Sequence, residues 1–164
     1  MVKNFIRWCV ARGWKNFGQA YETVYRSGQM GPLRLILTNW ILKFDLVIAL
    51  NQDESSYKER FEKQYFEKRI KDRYIHFNFG AGGNMYPTEC DQVLSLLETS
   101  AKEQNQWCVL LHCAGGKDRT GGVLGMWFMR TERVLISEWD GQNALHGVPA
   151  EGWWRAVLRE YLYC

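Results

Sequence analysis

Apolar positions in this chain change their spacing along its length, and each change marks a new element. Short unbroken apolar runs at residues 45–50 (DLVIAL) and 107–112 (WCVLLH) have the length and composition of strands buried on both faces. Residues 73–79 (RYIHFNF) alternate apolar and polar side chains and predict a further strand. Between these runs the spacing turns helical. Pro32 suits a first helical turn, and Leu33, Ile36, Leu37, Trp40 and Ile41 follow at helical intervals. Residues 55–73 are highly charged, yet Tyr57, Phe61, Tyr65 and Phe66 leave an apolar stripe that predicts an exposed amphipathic helix. Thr88, followed by Asp91, reads as a capping-box-like start for a helix carrying Val93, Leu94, Leu97 and Ala101. Further helices are predicted over 120–130, more weakly near 137–146, and from about 149 with Trp153, Trp154, Val157, Leu158 and Tyr161. Strands separated by helices imply an α/β fold with a central, mostly parallel sheet of roughly four to five strands flanked by helices.

Composition bounds this picture. An apolar content of 46% and an aromatic content of 15% over 164 residues can bury a core of ordinary size. No repeat, low-complexity tract or Pro/Gly/Ser-rich linker divides the chain, so residues 1–164 are expected to form one domain, allowing 1–15 to be an N-terminal extension. No apolar stretch reaches the length of a transmembrane segment, and MVKNFIRWCVARGW is broken by charge too often for a secretory signal. The five cysteines, Cys9, Cys90, Cys108, Cys113 and Cys164, are odd in number and lack CxxC spacing, which suggests neither a disulfide framework nor a zinc site. A cytoplasmic, monomeric protein is the expectation. The net charge of +3 is too small to argue for nucleic acid and allows only a modest bias toward anionic substrates.

The chemistry concentrates in residues 112–121, HCAGGKDRTG, between the buried run 107–112 and a helix start. In open α/β sheets ligands bind beyond the carboxyl ends of the strands, where this loop is expected to lie. Gly115 and Gly116 let the backbone curl so that the amides from Ala114 through Lys117, with the helix dipole behind them, converge on one oxyanion. The same amides and cations favour a thiolate at Cys113, the candidate nucleophile. Arg119 returns to the rim with a planar fork that can bind two phosphoryl oxygens together. Other phosphate loops fit poorly: Lys117 is followed by Asp118 rather than Ser or Thr, and no GxGxxG accompanies a first strand.

His112, Cys113, Arg119 and Thr120 form a His-Cys-x5-Arg-Thr pattern that resembles the signature of the cysteine-dependent phosphatase superfamily, the protein tyrosine and dual-specificity phosphatases. The Gly-Lys-Asp-Arg-Thr-Gly form is similar to loops of tyrosine phosphatases that also accept phosphoinositides. A second stretch, NFGQAYETVYRSGQM at 16–30, is similar to the opening segment of atypical dual-specificity phosphatases. The resemblance implies the cysteine phosphatase fold and a phosphate monoester hydrolase with no metal and no organic cofactor. It implies that Cys113 attacks phosphorus to form a phosphocysteine, and that Arg119 and the loop amides hold the equatorial oxygens. His112 would order the backbone beneath the thiolate, and the Thr120 hydroxyl would bond the sulfur and assist its release. A phosphorylated protein is the expected substrate; the alternatives are a phosphoinositide or inositol phosphate, or a pseudophosphatase that binds phosphate without turnover.

This sequence departs from the family over the general acid. Relatives supply an Asp from a mobile loop before the Cys, whereas FGAGGNMYP at 79–87 contains no acid. Asp118 is the first replacement to consider, its alternative being a carboxylate that pairs with a cation and shapes the loop. Glu89 and Asp91 are further choices, Asp91 being better explained as a helix N-terminal acid. Lys117 reads either as a second-phosphate contact or as a solvated rim residue, and Arg26 as a buried anchor of the site's floor. His76 and His146 read as structural, and Cys108 as a buried strand residue rather than a disulfide partner for Cys113.

Overall fold

The computed structural model describes residues 14, 16–51, 56–80, 87–102 and 106–131. Five strands lie among them: β1 (Gly18–Tyr21), β2 (Val24–Gly28), β3 (Leu46–Ala49), β4 (Tyr74–His76) and β5 (Val109–Cys113). They form one sheet in the order β1-β2-β5-β3-β4. The pairs β2/β5, β5/β3 and β3/β4 are parallel, and β1 joins β2 antiparallel through a short turn at Glu22 and Thr23. The expected mostly parallel α/β sheet is therefore present, with one antiparallel edge. The parallel strands require crossovers, which helices supply. Helix α1 (Pro32–Leu42) connects β2 to β3, α2 (Tyr57–Ile70) connects β3 to β4, α3 (Pro87–Ser100) connects β4 to β5, and α4 (Asp118–Arg130) follows β5.

Side chains alternate between the two faces of the central strands, and both faces are buried. Val24, Leu46, Ile48, Val109 and Leu111 pack with Val93, Leu94 and Leu97 of α3 and with Val123, Leu124 and Trp127 of α4. Tyr25, Val47 and Leu110 pack with Leu35 of α1, Phe66 of α2, and Trp14, Phe17, Met30 and Phe44. Burial on both sides explains why β3 and β5 read as continuous apolar runs.

Two local expectations need correction. In α1 the stripe expected to face the core turns outward: Leu33 is 83% and Trp40 75% exposed, while Leu35 and Thr38 are the buried residues. Apolar residues stand on both sides of this helix, so its periodicity does not choose a face; the Thr38 hydroxyl goes inward by donating to the Arg34 carbonyl at 2.7 Å. In α3, Thr88 lies inside the first turn that Pro87 opens, so it cannot act as the cap, and Asp91 instead pairs with Arg130 of α4 at 3.1 Å. The capping box belongs to α2, where Ser56 and Glu59 each accept from the other's backbone N–H. The helices expected near 137–146 and from about 149, with Trp153, Trp154 and His146, lie outside the described residues, as do Cys9, Cys164 and most of the acid-free loop.

Candidate active site

Cys113 ends β5, and Ala114, Gly115, Gly116 and Lys117 carry the chain into α4 at Asp118. The shape of this turn is imposed from β2. Because Gly28 pairs with Cys113, the loop folds directly over the end of β2. Gly116 adopts φ +68°, and a Cβ there would sit 2.3 Å from the Gly28 nitrogen and 2.4 Å from the Ser27 carbonyl carbon. No side chain fits. A Cβ at Gly115 would meet nothing within 4 Å, so the two glycines that look equivalent in sequence are not equivalent in the loop.

Three successive loop carbonyls are held by donors from the N-terminal part of the chain. Gln29 N–H donates to Ala114 O at 3.1 Å, Asn16 Nδ2 to Gly115 O at 2.7 Å, and Arg26 Nη2 to Gly116 O at 2.9 Å. In a trans peptide the N–H points opposite to the carbonyl, so fixing these oxygens outward turns the amides of Gly115, Gly116 and Lys117 inward. The Gly116 N–H shows the result, donating to Cys113 Sγ at 3.2 Å. The N-terminus of α4 adds its positive end to the same place.

Cys113 is 4% exposed, while Ala114, Gly115, Lys117 and Asp118 face solvent around it. Arg119, half-buried in the first turn of α4, is anchored by Nη1 donating to Leu50 O at 2.9 Å. Leu50 N–H in turn donates to His112 O at 2.8 Å, so one residue at the end of β3 ties the strand before Cys113 to the arginine after it. Thr120 is fully buried, and its hydroxyl has no hydrogen-bond partner among the described residues; Sγ accepts from the Gly116 N–H instead. Asp118 has no ion-pair partner among the described residues.

Arg26 is the buried floor anchor that the sequence suggests, 1% exposed. Burial lowers its pKa to about 10, against the pull of a Cys113 thiolate, and it stays charged at neutral pH. The other described cysteines are kept as thiols. Burial, with Asp91 and Glu89 nearby, pushes Cys90 up to about 12, and burial with Asp45 does the same to Cys108. Cys108 lies just before β5 rather than within it, its backbone N–H donating to Asp45 Oδ2 at 3.0 Å.

Several residues of this site are silent in a local reading. Asn16 and Gln29 act through single hydrogen bonds to the loop, and Glu62 of α2 is 1% exposed with Oε1 2.6 Å from His112 Nε2. The available signal was position: Glu62 stands one turn from Phe66 and next to Phe61, inside the stripe that faces the sheet.

The model of the tyrosine phosphatase family matches residues 13–146, a span that includes the whole of this construction. The chain belongs to the tyrosine phosphatase family. It is a cysteine-dependent phosphatase, and its sheet and helices match solved members of that fold. The core catalytic domain of the PP-IP phosphatase SIW14 from S. cerevisiae superposes with a TM-score of 0.62 at 20% identity, covering 82% of this chain and 77% of that one. TpbA from P. aeruginosa, in complex with pTyr, gives 0.65 at 15% identity over 87% and 82% of the two chains. PTP-2 phosphatase from Cydia pomonella gives 0.61 at 15% identity over 83% and 81%. No curated protein sequence matches the chain. The family supplies a phosphorylated substrate as the general ligand, and no helix among the described residues is long and apolar enough to cross a membrane.

Proposed function

We propose that this phosphatase hydrolyses phosphate monoesters of proteins, phosphotyrosine first, through a phosphocysteine on Cys113. The observation that carries the reading is the Gly116 N–H on Cys113 Sγ, inside a loop whose carbonyls are tied away from the sulfur. Sγ attacks phosphorus as the bond to the ester oxygen breaks. The amides from Ala114 to Lys117 and the Arg119 guanidinium take up the charge spreading over the equatorial oxygens. To serve, Arg119 must share its guanidinium between the Leu50 carbonyl and the phosphoryl group, which its several N–H donors allow. Asp118 gives its proton to the leaving oxygen, and its carboxylate then takes a proton from the water that attacks the phosphocysteine, releasing phosphate and the thiolate. Exposure at the mouth of the loop and the lack of an ion-pair partner among the described residues support Asp118 in this role over that of a loop-shaping carboxylate. Thr120, buried beside the sulfur's helix, assists departure of the thiolate by turning its hydroxyl toward Sγ.

A second reading, hydrolysis of an inositol phosphate or phosphoinositide, draws on the exposed Lys117 at the rim and on the likeness to SIW14, a PP-IP phosphatase. The likeness to TpbA, solved with pTyr, supports the first. We place the protein in the cytoplasm as a single-domain monomer. Wild type and Cys113→Ser are compared on an aryl phosphate, on phosphopeptides and on phosphoinositides. Turnover by wild type that Cys113→Ser abolishes supports the reading, and preference within the panel selects the substrate. Absence of turnover by wild type on all of them means a phosphate-binding protein instead. Asp118→Asn is expected to slow substrates with poor leaving groups by about a hundredfold and activated aryl esters far less; equal slowing of both would remove Asp118 as the acid.

A further inference from the structure

A cavity of about 430 Å³ opens beside the phosphate loop, where the chain passes from β2 into α1. Gly31, the N-cap of α1, lies on its wall, and Lys58, the second residue of α2, borders it. Helix α1 follows the carboxyl end of β2 and α2 that of β3, the end of the sheet at which Cys113 stands. The walls of the cavity are continuous with the anchors of the loop. Gln29 lines it and donates its N–H to Ala114 O at 3.1 Å. Asn16, which donates to Gly115 O at 2.7 Å, sits in the chain between the lining residues Trp14 and Phe17. Ala114 and Gly115 are themselves exposed, so the rim of the loop on this side is open to a passing chain.

Two kinds of surface meet in the cavity. Trp14, Phe17 and Met30 are 8%, 1% and 7% exposed and belong to the core packed on β2 and β5, so this wall is fixed before any ligand arrives. Arg34 and Lys58 are exposed cations on the same lining, the Arg34 guanidinium lying 5.5 Å from the centre of the Trp14 ring. Neither has an ion-pair partner among the described residues. An apolar wall beneath unpaired cations suits a ligand that is apolar at one point and anionic close by. A compact polyphosphate would leave the apolar wall unused. A membrane surface takes up apolar side chains that project, and these line a hollow. A peptide carrying an acidic residue near a large apolar one meets both surfaces.

We propose that this cavity is a specificity subsite for the segment flanking the phosphotyrosine of a protein substrate. It takes a large apolar side chain against Trp14, Phe17 and Met30 and an acidic one against Arg34 and Lys58. The proposal rests on a phosphoprotein being the substrate.

The test reads binding to the full-length Cys113→Ser chain, so that no turnover is needed. Labelled phosphotyrosine peptides whose flanks carry Glu with Leu, Lys with Leu, Glu with Ser, or Lys with Ser are titrated by fluorescence anisotropy, the pair being moved along either side of the phosphotyrosine. At the favoured position the peptide with Glu and Leu is expected to bind about tenfold more tightly than the one with Lys and Ser. Arg34→Glu combined with Lys58→Glu is expected to reverse the order of Glu and Lys and to keep the preference for Leu. Gly31 has φ −76°, which any residue adopts, and a Cβ there meets nothing within 4 Å, so Gly31→Leu fills the hollow without strain. It is expected to remove the preference for Leu and keep that for Glu. Equal affinities for the four peptides at every position, or preferences that neither variant moves, overturn the proposal. If charge reversal instead weakens binding of inositol hexakisphosphate, or of vesicles containing phosphatidylserine, and leaves the order of the peptides as it was, the cations serve a polyphosphate or a membrane and the proposal falls. Failure of the wild-type chain to hydrolyse any phosphopeptide would sink the proposed function and leave these binding readouts intact.

Discussion

Leu111 and Cys113 point to the face of the sheet that α3 and α4 cover, while Leu110 and His112 point to the face covered by α1 and α2. The first face is apolar up to the loop, with Arg26 the buried cation at its upper edge, directed to Gly116. The second is apolar only in its lower part. Toward the carboxyl ends of the strands it gives way to Glu62, Gln29, Asn51 and His112, with Asn51 donating to Gln29, Gln29 donating to Glu62 and Glu62 in close contact with His112. One face thus carries the nucleophile and the helix whose N-terminus meets the phosphate, and the other carries the polar support for the residue before it. Alternation along a single strand lets two neighbouring residues draw on different surroundings.

The largest expected effect strikes the loop where the faces meet. Gly116→Ala must displace the end of β2, and turnover is expected to fall by more than about a hundredfold, whereas Gly115→Ala stays near wild type. Similar rates for the two variants would mean that the loop is not shaped by β2. Next comes Leu97→Ala on the α3/α4 face, which is expected to cost about 2–5 kcal/mol of unfolding free energy with turnover per folded molecule unchanged. A large fall in that rate would show that the apolar face also tunes the site. Each face also holds one thiol kept neutral by burial, Cys90 on one side and Cys108 on the other. Both pKa values rise from 9.0 to about 12 on folding, so the unfolded chain loses these protons first and stability falls as pH rises through that interval. The slope is about 1.4 kcal/mol per pH unit for each thiol, and Cys90→Ala and Cys108→Ala should each remove about half of it in alkaline denaturation curves. Smallest of all, Trp40→Ser on the outward side of α1 is expected to change stability by less than about 0.5 kcal/mol; a loss of several kcal/mol would mean that this side is covered in solution.

The same contrast explains what could be read from the chain alone. The runs that became β3 and β5 were legible because a strand buried on both faces has no polar position to confuse the pattern, and Cys113 with Arg119 was legible because the chemistry fixes their spacing. The hairpin β1/β2 was visible only through its resemblance to other phosphatases. Its buried Arg26 is charged because it holds the loop carbonyl of Gly116, and that need belongs to a contact 90 residues away. Glu62 was hidden for the same reason: a carboxylate among lysines and glutamates reads as solvated until the partner that buries it is known. In α1 the failure was different, since apolar residues on opposite sides left the choice of face to the packing of Leu35 and Thr38.

The anchors of the loop have a consequence for how the protein is made. Asn16, Arg26 and Gln29 leave the ribosome long before residues 114–116, to which they bond across 99 and 90 positions of sequence in the cases of Asn16 and Arg26. Such non-local pairings are slow to close. The phosphate cradle is therefore a late product of folding, assembled when β5 slides between β2 and β3. Until then the nascent chain carries the halves of an active site that cannot yet hold an anion.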